Sequence, residues 1–225
     1  MKDKLLNILL FSKRYYERLR DRRLTLYLGI LMVGAIDMLL PDTAKILQEI
    51  FDQKASNAVL INALILVAVV VLLGIIDVVF VSIPLFDFFK FLKGKEAKVN
   101  IVQTQDDPDI YSVEPSAPSG ASRIKVMKAY ISVHFLITPV SVAIYYLFTR
   151  NITAASPVGL LYLSLTFEML IFIWMAAILS RGINSLFKFN PIFAKLTFLV
   201  VFTWNFIFSM AFSGQIMQWV WKLFI

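Results

Sequence analysis

Residues 58–83 read AVLINALILVAVVVLLGIIDVVFVSI, a run of 26 residues with a single ionisable side chain, Asp77. An α-helix needs about 20 mostly apolar residues to cross the hydrocarbon core of a bilayer. This run exceeds that, and it is too long and too free of charge for the core of a soluble domain. Working outward, four more apolar blocks occupy residues 24–40, 127–148, 158–179 and 193–213, separated by charged or polar connections. The pattern predicts an all-α, polytopic membrane helical bundle of about five transmembrane helices. The first block is short: 17 residues rise roughly 25 Å, barely a crossing.

Composition agrees. Apolar residues make up 59% of the 225 and charged residues 16%, with mean hydropathy +0.77. A soluble domain has about 45–50% and about 25%. The formal charge of +7 would suggest nucleic acid in a soluble protein. Here the basic residues flank the spans, so the partners expected are the bilayer and anionic lipid at a basic cytoplasmic face, with no nucleic acid. The absence of cysteine excludes disulfides, thiolate metal sites and a cysteine nucleophile.

Four regions follow. Residues 1–23 alternate apolar and basic character. They predict an amphipathic helix on the cytoplasmic leaflet rather than a cleaved signal, because Lys13 and Arg14 stand where a small-residue cleavage site would be. Residues 24–93 hold two spans, the second ending at Pro84, and then an interfacial piece with Asp87, Lys90 and Lys93 on one side. Residues 94–122, rich in Gly, Pro and Ser, predict a disordered cytoplasmic loop open to a protein partner. Residues 123–225 predict a three-span bundle with an outer tail anchored by Trp219 and Trp221. Phe89-Lys90-Phe91 and Phe187-Lys188-Phe189 form a short internal echo.

Orientation comes from counting Lys and Arg near span ends. With five spans, 18 of the 22 basic residues fall on the side of the N-terminus, the long loop and the connection before the last span. Only Lys45, Lys54, Arg150 and Lys222 fall on the other. The expectation is a cytoplasmic N-terminus and an outer C-terminus.

The chain carries no Gly-x-Ser-x-Gly, no His-Glu-x-x-His and no phosphate-cradling glycine loop. No enzyme and no cofactor are expected. Three acidic residues fall inside spans, where a charge costs at least about 2.5–3.5 kcal/mol. Asp37, near the outer end of its block, is expected to snorkel to the interface. Asp77 is expected to pair with Lys128 or Lys195 at similar depth. Glu168 is central in its span, with Ser164 one turn earlier, and is expected to face other helices as packing glue or as a proton- or cation-binding group. His134, Thr138, Ser141 and Tyr145 align on one face of the third span; Thr197, Asn205, Ser209 and Ser213 align on the fifth. These stripes predict close helix packing or a partly hydrated cavity between the third, fourth and fifth spans. His134, with no second ligand type beside it in sequence, does not predict a metal centre.

The order of elements, with a cytoplasmic N-terminus, five spans and a short basic connection before the last, resembles the Yip family of Rab-interacting membrane proteins and their bacterial relatives. Residues 125–148, with Ala129-Tyr130 and Pro139, look like that family's third helix, and residues 180–208 like its fourth-to-fifth junction. The resemblance implies a non-enzymatic scaffold or organising protein, in a bacterial cytoplasmic membrane for the bacterial relatives. It carries over no functional residue. The competing expectation is a small proton- or cation-coupled transporter, or an accessory subunit of a membrane transport complex, using Glu168.

Overall fold

The computed structural model describes residues 11–40, 59–106, 120–151 and 157–212, together with positions 43, 48, 215, 219 and 222. Six helices carry the fold: α1 (Lys13–Glu17), α2 (Arg23–Asp37), α3 (Val59–Asp106), α4 (Arg123–Asn151), α5 (Pro157–Phe187) and α6 (Pro191–Ala211). No strand occurs among the described residues. Four stretches, Ala63–Ala97 within α3, Arg123–Leu147 within α4, Tyr162–Phe187 within α5 and Pro191–Ala211, are long and apolar enough to cross a membrane. With large apolar side chains such as Phe80, Leu163, Leu199 and Ile207 facing outward, the chain is an integral membrane protein. Helix α2 has 15 residues and is not among those four. It packs along α3 and beside α4.

Helix α3 corrects two boundaries. Pro84 was expected to end the second span, yet the helix runs through it to Asp106. A mid-helix proline lacks the N–H that would reach the carbonyl four residues back, a loss of about 3 kcal/mol in an isolated helix. Burial offsets it here. Val78, Val81, Leu85, Phe89, Leu92 and Glu96 recur at helical spacing and are all buried, so one face continues unbroken across Pro84. The stripe reaches Glu96 and the helix continues to Asp106, so residues 94–106 are helical where the sequence predicts a disordered loop; residues 107–119 lie outside the described residues.

The reward for this extension sits at the turn between α5 and α6. Phe89 packs against Phe187 and Phe189, so the two Phe-Lys-Phe segments of the sequence echo meet in space. The Lys188 backbone is left-handed (φ 52°), the conformation that commonly ends a helix. Lys93 donates to the Lys188 carbonyl at 3.0 Å. Glu96, 1% exposed, accepts from Lys93 at 2.7 Å and from the backbone N–H of Asn190, the N-cap of α6, at 2.7 Å. Replacing Glu96 with alanine leaves that N–H and the ammonium without their acceptor. We expect Glu96→Ala to lose about 3 kcal/mol, read as a drop in the thermal midpoint in detergent, with α3 becoming protease-sensitive beyond Leu92. An unchanged midpoint would remove this tie from the account.

The described part of the N-terminal segment is keyed into the protein on one side, with Lys13, Arg14, Tyr15 and Glu17 exposed. Ser12 caps α1 by accepting from Tyr15 N–H at 3.2 Å. Tyr16 is fully buried over Gly182, where an added Cβ would come within 2.6 Å of the Tyr16 ring. The Tyr16 hydroxyl donates to the Ile178 carbonyl at 3.2 Å, and burial pushes its pKa well above the usual range. Residues 1–10 lie outside the described residues.

Candidate functional site

The site begins with two glycines. A Cβ placed on Gly34 of α2 would strike the Val70 carbonyl of α3, and one placed on Gly74 would strike the Ile30 carbonyl of α2. Position numbers rise along one helix as they fall along the other, so the helices are antiparallel and their backbones touch. Each glycine is followed three residues later by an aspartate: Gly34-Ala35-Ile36-Asp37 and Gly74-Ile75-Ile76-Asp77. The shared offset brings both carboxylates out on the flank that α4 covers.

Helix α4 meets them with Tyr130 and His134, four residues apart on one face. His134 Nε2 lies 3.0 Å from Asp37 Oδ1, and Nδ1 lies 3.3 Å from Asp77 Oδ2. The Tyr130 hydroxyl reaches both Asp77 oxygens, at 2.8 and 3.0 Å. Asp37, Asp77, Tyr130 and His134 are 1%, 5%, 3% and 6% exposed, so the cluster is cut off from bulk solvent. A neutral imidazole has one N–H and one lone pair. With a carboxylate oxygen at each ring nitrogen, a neutral imidazole sets lone pair against lone pair at one of the two contacts, a conflict that an added proton or a bound cation removes. The contact of Nε2 with Asp37, though short, is not aligned as a hydrogen bond, and Asp37 Oδ2 has no partner among the described residues.

The cluster opens into a cavity of about 150 Å³ between α2 and the four long helices. Glu168 and Asn205 stand on its other side, from α5 and α6. Asn205 is buried, and its Nδ2 has no hydrogen-bond partner among the described residues. Among the described residues, three carboxylates and one imidazole line this cavity, and no Lys or Arg does.

The expected residues divide cleanly. His134, Asp77, Asn205, Thr138, Ser209 and Glu168 all line the one cavity. Ser164 does not, although its hydroxyl lies 3.5 Å from Glu168. Thr197 is buried but bonds to the Phe193 carbonyl of its own helix, and Tyr145 is exposed. Four expectations are corrected. Glu168 is exposed at the cavity rim instead of enclosed between helices. Asp37 does not snorkel; α4 covers it. Asp77 pairs with Tyr130 and His134, while the Lys128 ammonium donates to the Arg20 carbonyl at 2.6 Å and Lys195 is exposed. His134 does have ligand types of a second kind beside it, namely the two aspartates. Tyr130 and Asp37 were absent from the expected site. The signal that points to Asp37 is the repeated Gly-x-Ile-Asp.

Fold and site together define an integral membrane helical protein with an anionic centre buried among its helices. No family model, no curated protein and no solved structure matches the chain.

Proposed function

We propose that the chain takes a small inorganic cation into this cavity, as a carrier or as the cation-handling subunit of a transport complex. One observation carries the reading: a cavity inside an apolar bundle is lined by Asp37, Asp77, Glu168 and His134, with no Lys or Arg among the described residues that line it. Even with an imidazolium the lining is formally −2, and uncompensated charge at this depth is expensive. A cation supplies what the lining lacks. A scaffold of the Yip type would account for the apolar packing but gives no reason to hold two aspartates against one histidine. The reading includes five crossings, with α2 as the first, and a cytoplasmic N-terminus, supported by the 18-to-4 basic asymmetry. The resemblance to bacterial Yip relatives supports a bacterial cytoplasmic membrane. Anionic lipid is the partner that the basic inner face fits.

Cation flux into proteoliposomes tests it. Asp77→Asn is expected to abolish flux. Glu168→Gln keeps shape at the rim but removes its charge. That variant is expected to fold normally and to slow flux about tenfold, as loss of a focusing charge does. Full flux in Asp77→Asn would overturn the reading.

A further inference from the structure

The chemistry of the cluster narrows the class of cation. Asp37, Asp77 and His134 each offer one ligand atom, and these atoms lie within 4.8 Å of one another. The ligand set is therefore two carboxylate oxygens and one imidazole nitrogen, contributed by three different helices. Hard cations such as Na⁺, Mg²⁺ and Ca²⁺ take oxygen ligands and gain little from an imidazole. Soft Cu(I) favours thiolates and thioethers over carboxylates, and the chain has no cysteine. Nitrogen with carboxylate oxygen suits the divalent first-row ions between these extremes.

Charge is consistent with this. With both aspartates ionised and the imidazole neutral the cluster is −2, and one divalent ion brings it to zero. A monovalent ion would leave −1 in the bundle. The surroundings are those of a built site. The Tyr130 hydroxyl donates to the Asp77 carboxylate within reach of both its oxygens, a polar outer contact of the kind that orients a metal ligand. Two buried polar atoms at the cavity wall, Asp37 Oδ2 and Asn205 Nδ2, lack hydrogen-bond partners among the described residues. A cavity of about 150 Å³ also leaves room for water to complete the coordination of an ion held by only three protein ligands.

We propose that Asp37, Asp77 and His134 form an intramembrane binding site for one divalent first-row transition-metal ion of the zinc, cobalt and manganese class. The proposal rests on the cation-site reading and specifies its ligand. Glu168 lines the same cavity and, unlike the two aspartates, is exposed.

The test uses the full chain, purified in nanodiscs and stripped with a chelator, then titrated separately with Zn²⁺, Co²⁺, Mn²⁺, Mg²⁺, Ca²⁺ and Na⁺. The expected result is one Zn²⁺ or Co²⁺ per chain, with visible d–d absorption from bound Co²⁺ that Zn²⁺ displaces. Tyr130→Phe keeps the ring and every ligand, and it should weaken Co²⁺ binding about tenfold or more. Asp77→Asn and His134→Gln should weaken it further, by about 100-fold, and change the Co²⁺ spectrum. Saturable binding of Na⁺, Ca²⁺ or Mg²⁺ that Asp77→Asn removes, with no transition-metal binding, would overturn the metal assignment and leave the cation site standing. No saturable binding of any of these ions to folded wild-type protein would overturn both. Transition-metal binding unchanged by all three substitutions would place the ion elsewhere and overturn the assignment.

Discussion

Gly34→Ala is expected to destabilise the protein by more than about 3 kcal/mol, beyond the usual range for adding one methyl group to a packed interior. The magnitude follows from what the new methyl would strike. Side chains next to an enlarged residue can change rotamer, but the obstacle here is the Val70 carbonyl in the middle of α3. It cannot move without shifting the helix. Close backbone approach at small residues is a main source of helix association in lipid, where apolar side chains gain little by leaving the acyl chains. Parting α2 from α3 therefore loses the contact that holds α2 in place. Gly74→Ala should do the same, through the Ile30 carbonyl. Gly94 provides the control. It lies in the same long helix, with nothing within 4 Å of an added Cβ. Gly94→Ala should be neutral or stabilise by about 0.5–1 kcal/mol through helix propensity. Thermal midpoints in one detergent compare the three variants directly. Equal midpoints for Gly34→Ala and Gly94→Ala would mean that the glycine contact does not hold α2 to α3. Any Gly34→Ala protein that survives should bind cations poorly, because Asp37 rides one turn beyond the displaced glycine.

How far the sequence goes can be judged from these elements. Four of the five expected spans were legible because hydropathy is local and the bilayer sets one length scale. The 26-residue run around Asp77 could not be anything but a long apolar helix, and α3 is one. Where that helix ends was not legible. Pro84 and the polar residues after it are local stop signals, and they were outweighed by a buried stripe whose partners, Phe187 and Phe189, lie about a hundred residues away. Nothing near residue 96 says that a glutamate will cap a helix beginning at Pro191. The site was half legible for the same reason. Intramembrane ionisable groups are costly enough to be noticed one at a time, so Asp77, Glu168 and His134 stood out. Which of them meet depends on helix register. Central position in a span drew attention to Glu168, whereas the packing assigns the enclosed role to Asp37 and Asp77. The register was written in the sequence, as two copies of Gly-x-Ile-Asp, but it becomes readable only once the glycines are known to touch.

The cluster also predicts a non-additive result. His134→Leu replaces the imidazole with an apolar group of similar bulk and leaves Asp37 and Asp77 facing each other across it, both buried. Removing one member of a buried ionic set costs about 3–5 kcal/mol, because the charges left behind lose their compensation. In chelator-treated protein we expect His134→Leu to lower the thermal midpoint sharply and to reduce the yield of folded chains. Converting the whole set to neutral groups should not. Asp37→Asn and Asp77→Asn added to His134→Leu remove both stranded charges, and amides still offer Tyr130 an acceptor at its present distance. The triple variant should therefore be at least about 2 kcal/mol more stable than the sum of the three single substitutions predicts, a coupling at the upper end of what residues in contact show. If the three substitutions simply add, the residues do not act as one cluster and the short distances between them carry no energetic weight. Function should move the other way. The recovered variant has a stable bundle and no anionic ligands, so it should neither bind nor carry a cation. A scaffold would be restored along with its fold; a cation carrier would be restored in stability alone.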